Sequence, residues 1–159
     1  VMVKPQKGFT LIELLVVIAI IAILAVVVFV ALDPASRFQK ARDAQRQTGV
    51  TSMLDAIKLT QVDNNGTLVA AVSALTADQY FMIGTCAVGG DTGCTKQTTQ
   101  AACANLTALV TGNYLSAIPT DPNGGTAAKT SYYIKRAASG VVTVGACNPE
   151  NASSIEVAR

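Results

Sequence analysis

An uninterrupted run of 19 apolar residues, Leu14 to Leu32, stands behind a single acid, Glu13, and a short basic leader that ends in Gly8. Counted from Phe9, the segment reaches roughly 36 Å as a helix rising about 1.5 Å per residue, long enough to cross a bilayer. A conventional secretory signal has a shorter apolar core followed by small residues at its cleavage site. Here the core is long and the only evident cut lies before it, so the anchor is expected to stay on the mature chain. Glu13 is the anomaly, because an ionised carboxylate in hydrocarbon costs about 3 kcal/mol even on lenient insertion scales. It calls either for a partner cation or for a place in the first helical turn, where the positive end of the helix dipole favours an acid.

The stretch GFTLIELLVVIAIIAIL, preceded by Lys4 and Lys7, resembles the class III signal of type IV prepilins and pseudopilins. The resemblance implies that a membrane aspartyl peptidase cuts between Gly8 and Phe9 and that the new amino group of Phe9 is N-methylated. It also implies that Glu13, the fifth residue after the cut, sets subunit register by pairing with the terminal amine of a neighbouring subunit. The partners implied are further copies of the chain in a helical homopolymer, prepilin peptidase, a pilus assembly platform and the membrane before assembly. A host surface or DNA is the implied contact of the outward part. The precursor is accordingly expected in the cytoplasmic membrane and the product in an extracellular filament. Many type IV pilins carry glycine and proline inside the apolar half of this helix, where it partly melts in the filament; this chain has neither between Phe9 and Asp33.

Charge and cysteine content bear on which side of the membrane the remainder occupies. Without Lys4 and Lys7 the ten remaining basic side chains balance the ten acidic ones, so the mature chain has no overall drive toward nucleic acid or acidic surfaces. Arg37, Lys40, Arg42 and Arg46 follow the apolar run, and on the positive-inside rule they would favour a cytoplasmic C-terminus. Four cysteines in a small, loop-rich domain suit an oxidising exterior instead, and the leader resemblance implies the same orientation.

The expected fold class is α+β, a long N-terminal helix packed on a small C-terminal antiparallel sheet. Its parts are a leader over 1–8, an apolar transmembrane or filament-core helix over 9–32, an amphipathic continuation over 33–62 and a head over 63–159. In the continuation, Phe38, Ala41, Val50, Leu54 and Ile57 fall on one helical stripe. Pro34 removes a backbone donor and predicts a bent or restarted helix, with Asp33 as a cap if it restarts. Asp63-Asn64-Asn65-Gly66 predicts the helix end, with Gly66 taking positive φ.

Beyond that turn, Ser73–Tyr80 reads as a short helix, Tyr80–Ile83 as a strand and Ala101–Leu115 as an amphipathic helix facing inward through Leu106, Leu109, Val110 and Tyr114. A β-meander is predicted near 130–158, with strands Tyr132–Lys135, Val141–Gly145 and Ser154–Val157 and turns at Ser139-Gly140 and Asn148–Asn151. Tyr114–Gly124, YLSAIPTDPNG, reads as an ordered loop between helix and sheet and resembles a loop of major pseudopilins of type II secretion.

Cys86, Cys94, Cys103 and Cys147 allow three disulfide pairings. The preferred reading joins Cys86 to Cys94 across the glycine-rich AVGGDTG and Cys103 to Cys147, stapling the expected 101–115 helix to the sheet. Zinc is the rival, but the spacings of seven, eight and 43 intervening residues contain no CxxC pair. No metal or cofactor is expected: Glu150 and Glu156 are the only acids near the C-terminus, a poor supply of oxygen for calcium.

Catalysis finds little footing. The chain has no histidine, which removes Ser-His and Cys-His nucleophiles, and neither Gly89-Gly90 nor Gly124-Gly125 has the surroundings of a phosphate loop. Asp121 and Glu150 read as solvated turn acids, and the basic cluster of Arg37, Lys40, Arg42 and Arg46 as a face that pairs with acids of adjacent subunits. Asn65-Gly66-Thr67, Asn105-Leu106-Thr107 and Asn151-Ala152-Ser153 fit the N-glycosylation pattern, which recurs by chance in a chain this rich in Asn and Thr. The functional expectation is a non-enzymatic type IV pilus subunit serving adhesion, twitching motility or DNA uptake. The alternatives are a pseudopilin of a type II secretion-like system and a membrane-anchored binding protein that does not polymerise.

Overall fold

A computed structural model describes residues 8–86 and 89–159. Lys4 and Lys7 of the leader, and Ala87 and Val88 of the glycine-rich loop, lie outside the described residues. The chain divides into two compact units, one ending at Arg37 and one running Phe38–Arg159.

Helix α1, Leu11–Leu32, has no buried residue. Every side chain along it is apolar except Glu13, so it has no polar face to give to water. It is long and apolar enough to cross a membrane. Asp33 interrupts the helix in the left-handed region, at φ 37° and ψ 69°. Helix α2, Pro34–Asp63, then restarts with proline in its first position, where the missing N–H would have had no partner in any case. The Asp33 carboxylate accepts a bond from the Ser36 amide at 3.5 Å, so the helix is restarted rather than continuously bent.

The second unit is built on a five-stranded sheet of order β2-β1-β3-β4-β5. Its strands are β1 Tyr80–Ile83, β2 Thr99–Ala104, β3 Tyr132–Arg136, β4 Val142–Ala146 and β5 Glu156–Ala158. β1–β3–β4–β5 is antiparallel throughout, which is the meander expected near 130–158 with β1 added at its edge. β2 joins parallel to β1, with a register irregularity between Phe81 and Met82. Alternation along the strands divides the sheet's two faces. Phe81, Ile83, Tyr132, Ile134, Val142, Val144 and Ala146 share one core with Val50, Met53, Leu54, Ala56 and Ile57 of α2. Met82, Tyr133 and Cys147 form a smaller cluster on the other face.

Several expectations are corrected. The buried stripe of α2 begins with Asp43, Arg46 and Gly49, whereas Phe38 is 66% exposed and Ala41 is exposed. Apolar spacing located the second half of the stripe and misread the first half, where Asp43 and Arg46 are buried as charged, paired residues. The region 101–115 is not one helix. Thr99–Ala104 is strand β2, and only Thr107–Thr111 is helical, as α4. Asn105 separates them, its Oδ1 accepting from the Thr107 amide at 3.0 Å and closing a local turn. Of the expected inward face, Leu106 and Leu109 are fully buried, whereas Val110 and Tyr114 are half-buried. The helix placed at Ser73–Tyr80 is instead α3, Ala70–Ser73.

The cysteine pairing is Cys86–Cys103 and Cys94–Cys147, not the preferred Cys86–Cys94 and Cys103–Cys147. Parallel pairing of β1 with β2 sets Met82 opposite Cys103 and Ile83 opposite Ala104, so the chain leaving β1 carries Cys86 beside β2. The loop between them is returned to the end of β4, where the Thr95 hydroxyl and the Lys96 amide both donate to the carbonyl of Cys147 and seat Cys94 against it.

Candidate functional site

Two places in the chain concentrate function-bearing side chains, one in each unit. The first is the N-terminal segment. Gly8, Phe9 and Thr10 precede the helix and are exposed, and Thr10 has extended backbone at φ −84° and ψ 151°. The Gly8–Phe9 peptide therefore lies outside the hydrogen-bonded helix. Glu13 occupies the third helical position and closes a capping box with Thr10. The Glu13 amide donates to the Thr10 hydroxyl at 3.3 Å, while the Thr10 amide and hydroxyl donate to Glu13 Oε2 at 2.8 and 2.7 Å. The carboxylate thus satisfies donors that the first turn leaves open, the dipole-type reading of this residue. Phe9 is 85% exposed and Leu11 87%, so the apolar side chains flanking the acid are bare.

The second place centres on Arg46, which is fully buried. Its Nε and Nη2 donate to the two carboxylate oxygens of Asp121 at 2.7 and 2.9 Å, a bidentate fork. Nη1 donates to Asp43 at 2.8 Å, and Nη2 also reaches Glu150 at 2.9 Å. Arg42 holds Glu150 from the other side, its Nε at 2.8 Å. Asp43 in turn accepts from the backbone amides of Glu150, Asn151 and Ala152 at 3.0, 2.7 and 2.8 Å. Burial pushes the Asp43 carboxyl up, but those three amides and the Arg46 guanidinium together outweigh it and hold the group down at about 2. Glu150 is also held at about 2, first by Arg42 and then by Arg46. The bond to Asp121 leads the causes that raise Arg46 further above its ordinary value.

Asp121 and Glu150 are therefore not solvated turn acids, and Arg42 and Arg46 find their acids within the chain rather than on a neighbour. The arrangement ties the 114–124 loop and the β4–β5 loop to α2. Its carboxylates are occupied by guanidinium and amide donors, which suits them to holding segments together. Asp43 was missed altogether; its spacing of three residues from Arg46 on a helix was the available signal.

Residues 3–29 match the family described as the prokaryotic N-terminal methylation motif. The chain carries the class III signal peptide of type IV pilins and pseudopilins. The prepilin signal covers the basic leader, the Gly8-Phe9 pair, the capping box and most of α1. No curated protein and no solved structure matches the chain.

Proposed function

We propose that this chain is a structural subunit of a type IV pilus, cut between Gly8 and Phe9, N-methylated on Phe9 and polymerised through α1. The observation that carries the reading is the union of the prepilin signal with a 22-residue helix that has no buried residue. Such a helix has two environments open to it, lipid before assembly and the like helices of other copies afterwards. Glu13 sets axial register by exchanging its Thr10 contacts for the terminal amine of a neighbour. The paired disulfides and the Arg46 cluster suit a head that faces an oxidising exterior, where the filament serves adhesion, twitching motility or DNA uptake.

N-terminal mass spectrometry on fibres sheared from the native cells tests this. A terminal peptide beginning at Phe9 with one added methyl group is the expected result; an intact leader found only in membranes would leave a monomeric anchor. The Tyr114–Gly124 loop favours a second reading, a major pseudopilin of a secretion machine. Deletion of the gene separates the two: secretion lost while surface fibres persist would overturn the pilus.

A further inference from the structure

Three tripeptides of the N-glycosylation pattern lie in the head, and the fold treats them differently. Asn151 is pinned: its amide donates to Asp43 at 2.7 Å, its Nδ2 donates to Gln39 at 3.1 Å, and the following Ala152 amide also binds Asp43. Asn105 is pinned in another way. Its Oδ1 accepts from both the amide and the hydroxyl of Thr107, and the intervening Leu106 is 1% exposed in the main core. Drawing either tripeptide into an enzyme cleft would break the Asp43 contacts or pull Leu106 out of the core.

Asn65-Gly66-Thr67 meets neither obstacle. All three residues are exposed, a side chain placed on Gly66 would touch nothing within 4 Å, and the Asn65 and Thr67 side chains have no hydrogen-bond partner among the described residues. Among the described residues, turn contacts hold the segment: Asn65 N–H to Val62 at 3.3 Å, Gly66 N–H to Gln61 at 2.7 Å, Thr67 N–H to Asn64 at 3.0 Å and the Gln61 side-chain amide to the Gly66 carbonyl at 3.0 Å. Both Asn65, φ 53°, and Gly66, φ 88°, are in the left-handed region of a helix-terminating turn, and none of the three residues belongs to the core cluster. Just before it on α2, Leu59 and Val62 are 56% and 75% exposed, apolar surface that a bulky hydrophilic group at Asn65 would shield.

We propose that Asn65 is an N-glycosylation site, modified on the outer face of the membrane by transfer from a polyprenyl-diphosphate-linked oligosaccharide. The Asn65 amide nitrogen forms a bond to the anomeric carbon of the sugar and loses one proton to the transferase. The bond from that carbon to the diphosphate oxygen breaks, and polyprenyl diphosphate leaves. This rests on the exported orientation argued above, and the test reads the two separately.

The experiment is peptide mapping, after reduction, of the full chain purified from its own cells, following the tryptic peptide Leu59–Lys96 and the N-terminal peptide in the same digest. A glycan mass on Leu59–Lys96 is expected, absent in Asn65→Gln and Thr67→Ala and retained in Thr67→Ser. An unmodified Asn65, or only the small mass gain of deamidation at Asn65-Gly66, on a chain that begins at Phe9 overturns the glycan while leaving the processing intact. A glycan that persists in Asn65→Gln overturns the assignment in favour of hydroxyl attachment. A chain with its leader uncut speaks against the filament reading, whatever Asn65 carries.

Discussion

Arg46 and Asp121, 75 residues apart in the chain, are joined by two hydrogen bonds of 2.7 and 2.9 Å, with neither side chain more than 1% exposed. A buried ion pair of this kind adds little net stability over a well-packed apolar pair, yet removing one partner strands the other charge. Arg46→Met strands Asp121 and takes a donor from Asp43 and Glu150 as well. It is expected to cost about 3 to 5 kcal/mol. Arg46→Met combined with Asp121→Leu should recover part of that loss. Urea unfolding of the full chain in detergent measures both, and a loss under about 1 kcal/mol in the single variant would show that the pair is not structural.

Acid is expected to act on the same cluster. Asp43 and Glu150 are held at about 2, below the value near 4 of carboxyls in an unfolded chain. Between about 4 and about 2 the unfolded chain binds more protons than the folded one. The stabilisation is therefore complete above about pH 4 and is lost as pH falls through about 2. Thermal midpoints should stay level above about pH 5 and then decline through that window, less steeply in Glu150→Gln. An unchanged slope in that variant would remove Glu150 from the account.

Non-reducing peptide maps should link Cys86 with Cys103 and Cys94 with Cys147. The second bridge spans 53 residues and the first 17. In the chain-entropy treatment, opening the longer costs about 4 kcal/mol and the shorter about 3 kcal/mol. The Cys94→Ser, Cys147→Ser double variant should therefore melt below the Cys86→Ser, Cys103→Ser one. The opposite order would place the dominant constraint in the β1–β2 connection.

At the N-terminus, Thr10 and Glu13 separate two roles of one carboxylate. Thr10→Ala removes the capping partner and keeps the charge, whereas Glu13→Ala removes both. If register depends on the charge, Thr10→Ala should assemble and Glu13→Ala should stay membrane-inserted without forming fibres. Equal defects in the two variants, scored by electron microscopy of sheared material, would assign Glu13 to the cap alone.

How much of this was legible in advance differs by element. The apolar run, the acid behind its leader, an irregularity at Asp33-Pro34, the helix end at Asn65-Gly66 and the three C-terminal strands are written in local chemistry: hydropathy, a missing amide hydrogen, positive φ, alternation. Each depends on residues within a few positions of one another, so the sequence by itself determined them. The parallel partner of β1 was not legible, because TQAACA has no strong strand pattern and becomes a strand through main-chain bonds to Tyr80–Ile83. That pairing also carries Cys86 to Cys103, so tertiary structure decided the disulfides. Nor does apolar spacing show that Asp43 and Arg46 begin the buried α2 stripe. Arg46 is buried because Asp121 and Glu150, distant in the chain, arrive around it, and a charge can leave water only when its partners arrive with it.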